Sequence, residues 1–261
     1  GWGYHDVAAA GVVHTIAGWF AFGVLLNLGP RIGKYNEDGS ANEIEGHSLV
    51  SSFIGLLMLI VGFFGFLGAC LIWAGADLGG WVNIYGAPAT LSSFAFNTLM
   101  GLAGGMIGAF WWSKGNPFWM MSGGLAGIFI CAGGLDIWYP GFAFVLGIIA
   151  GCVIIPANNW LHNTFKIDDC VGAVSIHGVA GVLGVLAVGV FAAGYPSAGD
   201  IPPTSFVGQL IGCIVMVLTG LVPGYVISYV MKSMGWLRVP DEVQAAGIDS
   251  AELNLRAYAD K

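Results

Sequence analysis

Two stretches of the chain carry the same residue types at the same spacing. Asp6 is followed by seven small or apolar residues, His14, two more residues and Ala17-Gly18; Asp169 is followed by seven small or apolar residues, His177, two more and Ala180-Gly181. A neutral imidazole donates from one ring nitrogen and accepts at the other, so two such rings can bind each other and still offer polar edges. A pair of this kind can relay a proton or hydrogen-bond a small uncharged solute. An aspartate at a helix start accepts from free amides and meets the positive end of the helix dipole. Capping accounts for Asp168 and Asp169. Asp6 is in addition a candidate group for receiving a cation.

The element that must position each histidine is a long apolar helix. At roughly 1.5 Å per residue, each ring sits about 12 Å inside its helix end. An ionisable side chain that deep in lipid marks function by default. One histidine in an apolar helix is usually satisfied by a backbone carbonyl, but two in matching frames call for a shared explanation. Ala10, Gly11, Ala17, Gly18, Gly178, Ala180 and Gly181 leave room around both rings.

The chain is 57% hydrophobic and 9% charged, with a mean hydropathy of +0.80. Soluble domains carry about 25% charged residues, so an integral membrane protein is expected. The 43 glycines suit closely packed transmembrane helices. No basic patch points to nucleic acid. Cys70, Cys131, Cys152, Cys170 and Cys213 lack a C-x-x-C pair and read as small hydrophobes rather than disulfides or metal ligands.

Seven apolar runs are long enough for a bilayer crossing, which needs about 20 residues: 7–28, 49–74, 88–112, 118–137, 141–159, 170–193 and 205–231. The predicted fold is an all-α polytopic helical bundle, with a membrane domain over 1–232 and a polar tail over 233–261. In the seven-span arrangement, Arg31, Lys34, Lys114, Lys166, Lys232, Arg238, Arg256 and Lys261 fall on one side, and Asp6, Asp77, Asp136 and Asp200 on the other. The positive-inside rule makes the cation side cytoplasmic, with the start of the chain outside and the tail inside. Span one then runs inward and span six outward. The same motif in opposite orientations is the mark of an inverted-topology repeat, which brings the histidines together near the midplane. With five helices in the second half, the first half requires four more before residue 7. The chain thus reads as the C-terminal part of an eleven-span protein or one subunit of a split one.

Other features are weaker. The cluster Val61-Gly-Phe63-Phe64-Gly65-Phe66-Leu67 through Cys70 reads by itself as packing, and His5, His47 and His162 receive no role. Trp236 and Arg238 suit an interfacial anchor. No lysine lies within a span to form a Schiff base, which excludes a retinal protein. Two histidines without further ligands do not make a metalloenzyme. Neither enzyme activity nor a cofactor is expected.

Taken together, these motifs resemble the ammonium transporter family (Amt/Mep, with the more distant Rhesus proteins). Asp6-x7-His14 is similar to the family's fifth-span signature, and Asp168-Asp169 with Ser175-Ile-His177-Gly178 to its tenth. Gly62-Phe-Phe-Gly65-Phe66 resembles Gly-Trp-Phe-Gly-Phe, and Leu237-Arg-Val-Pro-Asp-Glu242 through Gly247-Ile-Asp249 resembles the family tail. The resemblance covers essentially the whole chain, as the fifth to eleventh spans and the tail.

It implies ammonium as substrate, deprotonated before neutral ammonia crosses a hydrophobic pore lined by His14 and His177. Phe66 would be one of two stacked phenylalanines closing the outer vestibule, and Asp6 the acid below the recruitment site. Cys70 stands where many members place a serine that contacts ammonium, and thiol is the poorer acceptor; Leu67 stands where asparagine is common. The other gate phenylalanine and the vestibule tryptophan belong to the four earlier spans. Expected partners are the lipid bilayer, two further copies in a homotrimer, a PII-type regulator at the cytoplasmic mouth, and the four earlier spans as a separate chain if the protein is split. The alternative is a non-transporting ammonium sensor or a structural subunit of a larger membrane complex.

Overall fold

A computed structural model describes residues 2–73, 82–196 and 202–255. Asp77, Asp200, Arg256 and Lys261, which entered the charge argument, lie outside the described residues. The first rod opens with a π-helical segment, Ala10–Thr15, and continues as α1 (Ile16–Leu28). It is followed by α2 (Leu49–Trp73), α3 (Leu91–Ser113), α4 (Pro117–Ala132) and α5 (Pro140–Trp160), which ends in a π-helical turn over Leu161–Phe165. A third π-helical segment, Val174–Val179, leads into α6 (Ala180–Phe191); α7 (Phe206–Ser233) is the longest helix described, and α8 (Asp241–Ala246) and α9 (Ile248–Leu253) are short tail helices.

Six helices among the described residues are long and apolar enough to cross a membrane: Ala10–Leu28, Leu49–Leu71, Leu91–Ser113, Pro140–Phe165, Val174–Phe191 and Phe206–Ser233. These make the chain an all-α polytopic membrane bundle. The expected span at 118–137 is a 16-residue helix, Pro117–Ala132, about 24 Å long at 1.5 Å per residue. It stops short because the chain turns at Gly133-Gly134. Beyond that turn, buried Asn97 donates to the carbonyls of Leu135 (2.9 Å) and Trp138 (2.8 Å), and the Trp138 indole donates to Cys131 O. Side chains satisfy here the backbone groups that a longer helix would satisfy itself.

Local sequence fixes the helix starts. Thr90 and Ser93 form a reciprocal capping box on α3. Asn116 caps α4 with Pro117 at its first position, and Ser205 caps α7 through the Gly208 amide.

Glycines let the helices touch backbone to backbone. A methyl group on Gly105 would lie 2.0 Å from the Gly123 carbonyl oxygen, on Gly127 2.0 Å from Gly101 O, and on Gly151 2.2 Å from Gly105 O. Pairs four residues apart on α3, α4 and α5 thus form one seam of small residues. A second seam joins α7 to α1, where a methyl on Gly220 or Gly224 would meet Ile16 O (2.3 Å) or Phe20 O (2.4 Å). The first rod and the Val174–Phe191 rod cross between these two seams, and α4 backs the crossing.

Candidate functional site

The two rods begin alike. Asp6 Oδ2 accepts from the amides of Gly11 (2.9 Å) and Val12 (3.0 Å) and from the Tyr4 hydroxyl (3.1 Å). Asp169 accepts through Oδ1 from Ala173 N (2.9 Å) and through Oδ2 from Val174 N (2.7 Å). Each carboxylate holds the first amides of a rod that starts as a π-helical segment and carries its histidine inside that segment. π-Helical turns inside longer helices recur at functional sites. Burial pushes Asp6 and Asp169 above the usual carboxylate range even though these amides favour the charged form. Asp168 goes the other way. Burial opposes its charge, but the Arg31 guanidinium (Nε to Oδ2 2.7 Å, Nη2 to Oδ1 2.9 Å) and the Arg31 amide hold it low.

The rods then cross at their glycines. A methyl on Gly18 would lie 2.0 Å from Gly178 N; one on Gly181 would lie 2.6 Å from Ala10 O and 2.7 Å from Thr15 Oγ1. The contacts are reciprocal: the glycine four residues after each histidine sits on the residue that follows the other histidine. The two rings therefore meet, with His14 Nδ1 3.1 Å from His177 Nδ1. For two neutral rings, that bond requires one to carry its proton on Nδ1 and the other on Nε2. His14 is 2% exposed, and its Nε2 is buried without a partner. His177 is half-buried.

An aromatic ring lies over both imidazoles. Phe129 of α4 stacks on His14 (centroids 3.7 Å apart, planes 19° apart) and on His177 (4.5 Å, 29°). Phe63 of α2 meets Phe129 edge-on at 5.6 Å and lies 6.5 Å from His14. Phe66 and Cys70 follow on α2, one turn apart. Phe66 is 39% exposed and lies outside the ring stack, while Cys70 is half-buried. Among the described residues, no group of three His, Cys, Asp or Glu side chains is arranged to hold a metal ion.

A buried imidazole pair at a glycine-tight crossing of two apolar rods can pass a small neutral solute or a proton. The profile of the Ammonium Transporter Family matches residues 1–258. The chain belongs to the ammonium transporter family. It is 31% identical over 261 residues to ammonium transporter Amt1 of Methanocaldococcus jannaschii, covering 99% of this chain and 62% of that protein. It is 33% identical over 267 residues to ammonium transporter Amt1 of Haloferax mediterranei, covering 99% of this chain and 50% of that one. Among solved structures it is similar to a protein described as Sensor Amt Protein, with a TM-score of 0.82 and 31% identity, over 96% of this chain and 60% of that chain. The chain thus spans between half and 62% of the length of these relatives.

Sequence spacing had brought out the histidines and their aspartates, but it missed two features of this family member. Phe129 stands within an unbroken apolar run (Ile128-Phe129-Ile130) that carries no pattern. The other is a buried cluster at the Asp6 end, where His5 Nε2 lies 3.0 Å from Asp136 Oδ1. The His5 amide donates to Gln209 Oε1 (2.7 Å), and Gln209 Nε2 donates to His5 O and Val185 O. Burial disfavours the His5 cation, yet the carboxylates of Asp136 and Asp6 raise its pKa above the ordinary value. The signal was a histidine beside the motif aspartate and an acid in an otherwise apolar turn.

Proposed function

We propose that the protein moves ammonium across the membrane as ammonia, along a hydrophobic path lined by His14 and His177. The observation that carries this reading is the 3.1 Å imidazole–imidazole contact buried within an apolar bundle. Ammonium is received at an outer site near Asp6, Phe66 and Cys70, where aromatic faces and hydrogen-bond acceptors hold a cation. It gives up a proton there, because a bare charge in the apolar path costs too much. Ammonia passes along the imidazole edges and the proton follows through the paired rings. Potassium has no proton to give up and is excluded.

In this reading, residues 1–232 form the membrane domain and supply seven of eleven spans, Pro117–Ala132 and the turn after it completing one of them. The first four come from the same polypeptide or from a second chain. The start of the chain is outside and the 233–261 tail cytoplasmic, three copies assemble with one path each, and a PII-type protein docks at the cytoplasmic mouth. The reciprocal glycine contacts at the rod crossing support the inverted repeat. The greater length of the relatives supports the missing spans.

The test is methylammonium uptake by the full-length protein in cells lacking their own ammonium transporters. Uptake is expected, with loss of most of it on replacing both His14 and His177 by alanine. Unchanged uptake in that double variant would remove the role given to the pair. The likeness to a Sensor Amt Protein, together with thiol at Cys70 and apolar Leu67, favours a second reading, an ammonium sensor. That reading predicts ammonium binding by calorimetry with no uptake.

A further inference from the structure

The ring of Phe129 does more than fill space. It is 1% exposed and sits between two neighbours, Ile128 and Ile130, that are buried as deeply. Phe129 lies nearly parallel to both imidazoles, at 3.7 Å from one centroid and 4.5 Å from the other. A flat ring at that separation stops either imidazole from rotating about its Cβ–Cγ bond without a clash. Rotation of either ring would break the bond between His14 Nδ1 and His177 Nδ1. The same ring covers one face of the pair, and on its far edge His14 Nε2 is buried without a hydrogen-bond partner. The ring is itself held from behind, since Phe63 meets it edge-on at 5.6 Å.

Because Phe63 and Phe129 meet edge to face, a change of ring volume at one position is felt at the other.

We propose that Phe129 is a positioning residue for the histidine pair and, together with Phe63, sets the width of the path beside it. This rests on reading the pair as part of a conducting path, but the geometric half of it does not. Ammonia is passed and bulkier amines are held back because the aromatic wall cannot move away from the imidazoles.

The experiment compares wild type, Phe129→Leu and Phe63→Trp/Phe129→Val in the full-length protein in lipid nanodiscs, with 15N-labelled histidine. In the wild type, NMR is expected to show coupling between the two Nδ1 nitrogens across their hydrogen bond. Phe129→Leu, smaller and not flat, is expected to abolish that coupling and to shift both imidazoles. In cells it raises methylammonium uptake relative to ammonium by about tenfold, the scale at which a small change of pocket volume alters discrimination. The double variant, which moves ring volume from 129 to 63, returns the uptake ratio toward the wild-type value. If Phe129→Leu does not accumulate, Phe129→Met reports the same quantities. Coupling and uptake ratio both unchanged by the loss of the ring would overturn the proposal while leaving transport intact. Coupling that depends on Phe129 in a protein that takes up no amine would uphold the positioning role and remove the transport reading.

Discussion

At Asp6 a single carboxylate oxygen takes three donors while the other, Oδ1, is buried with none. That imbalance separates the capping role from the charge. Asp6→Asn keeps an acceptor for Gly11 and Val12 and removes a charge that burial opposes, while its amide NH2 takes the place of the unpartnered Oδ1, so its melting temperature at pH 7 is expected to stay near that of the wild type and above that of Asp6→Ala. Asp6→Ala strips the cap and leaves buried amides unmet, at a cost of about 2 kcal/mol. The pH dependence has a definite sign. A carboxyl with a raised native pKa takes up its proton more readily folded than unfolded. The resulting stability is complete below the ordinary carboxylate value and is lost as pH rises through the native one. As pH falls from neutral toward the ordinary carboxylate value, the wild type is therefore expected to gain stability relative to Asp6→Asn, measured by thermal unfolding in detergent. Asp168 has the opposite sign, since Arg31 depresses it, but it is common to both proteins and cancels. At this scale the spacing of the sequence picked out the residues that the structure arranges in matching pairs, Asp6 with Asp169 and His14 with His177. It missed Phe129 and the His5–Asp136 pair, because a stack and a buried ion pair depend on partners more than 45 positions away in the chain.

Between the elements, glycine decides whether the histidines meet. Gly18 and Gly178 face each other, yet they are not equivalent. A methyl on Gly18 would lie 2.0 Å from the Gly178 amide nitrogen, whereas one on Gly178 would find nothing nearer than 3.4 Å. Gly18→Ala drives backbone against backbone, which no side-chain rotation relieves. It is expected to destabilise the protein by about 3 kcal/mol and to separate the rings. Gly178→Ala, at the same crossing, is expected to stay within about 0.5 kcal/mol of wild type, the range of a well-accommodated substitution. Chemical denaturation of the two variants in mixed micelles measures the difference; equal effects would mean that the crossing is looser than its contacts indicate. The abundance of glycine was plain in the sequence and pointed to close helix packing. Which glycines touch was not, because 43 candidates share one side chain and only the crossing angle selects among them. The helices themselves were largely readable from their apolar runs. The exception is α4, where Gly133-Gly134 end the helix early and Asn97 from another helix takes over the freed carbonyls.

Across the whole molecule, polar groups collect in two layers at opposite ends of the rods. One holds Tyr4, His5, Asp6, Asp136 and Gln209. In the other, Arg31 binds Asp168, Arg238 donates to Pro30 O, and Lys166 donates to Gly39 O. The turn before α4 belongs to the second layer, since Trp119 borders Gly172 at the Asp169 cap, and Lys114 stands in that turn. This grouping turns the proposed orientation into a measurement. Cys170 is exposed in the second layer, whereas Cys131 and Cys213 are buried and Cys70 and Cys152 half-buried. A membrane-impermeant maleimide is expected to leave Cys170 unlabelled in intact cells and to label it rapidly once the membrane is opened, with Cys170→Ser removing the rapid phase. The positive-inside rule requires that result, because Arg31, Lys34 and Lys166 flank the same loops as Cys170. Rapid labelling of Cys170 in intact cells would place those cations outside. It would reverse both rods together, so that Asp6 would open onto the cytoplasm and Asp169 onto the exterior, and the outer recruitment site would have to be sought beside Arg31 and Asp168 instead.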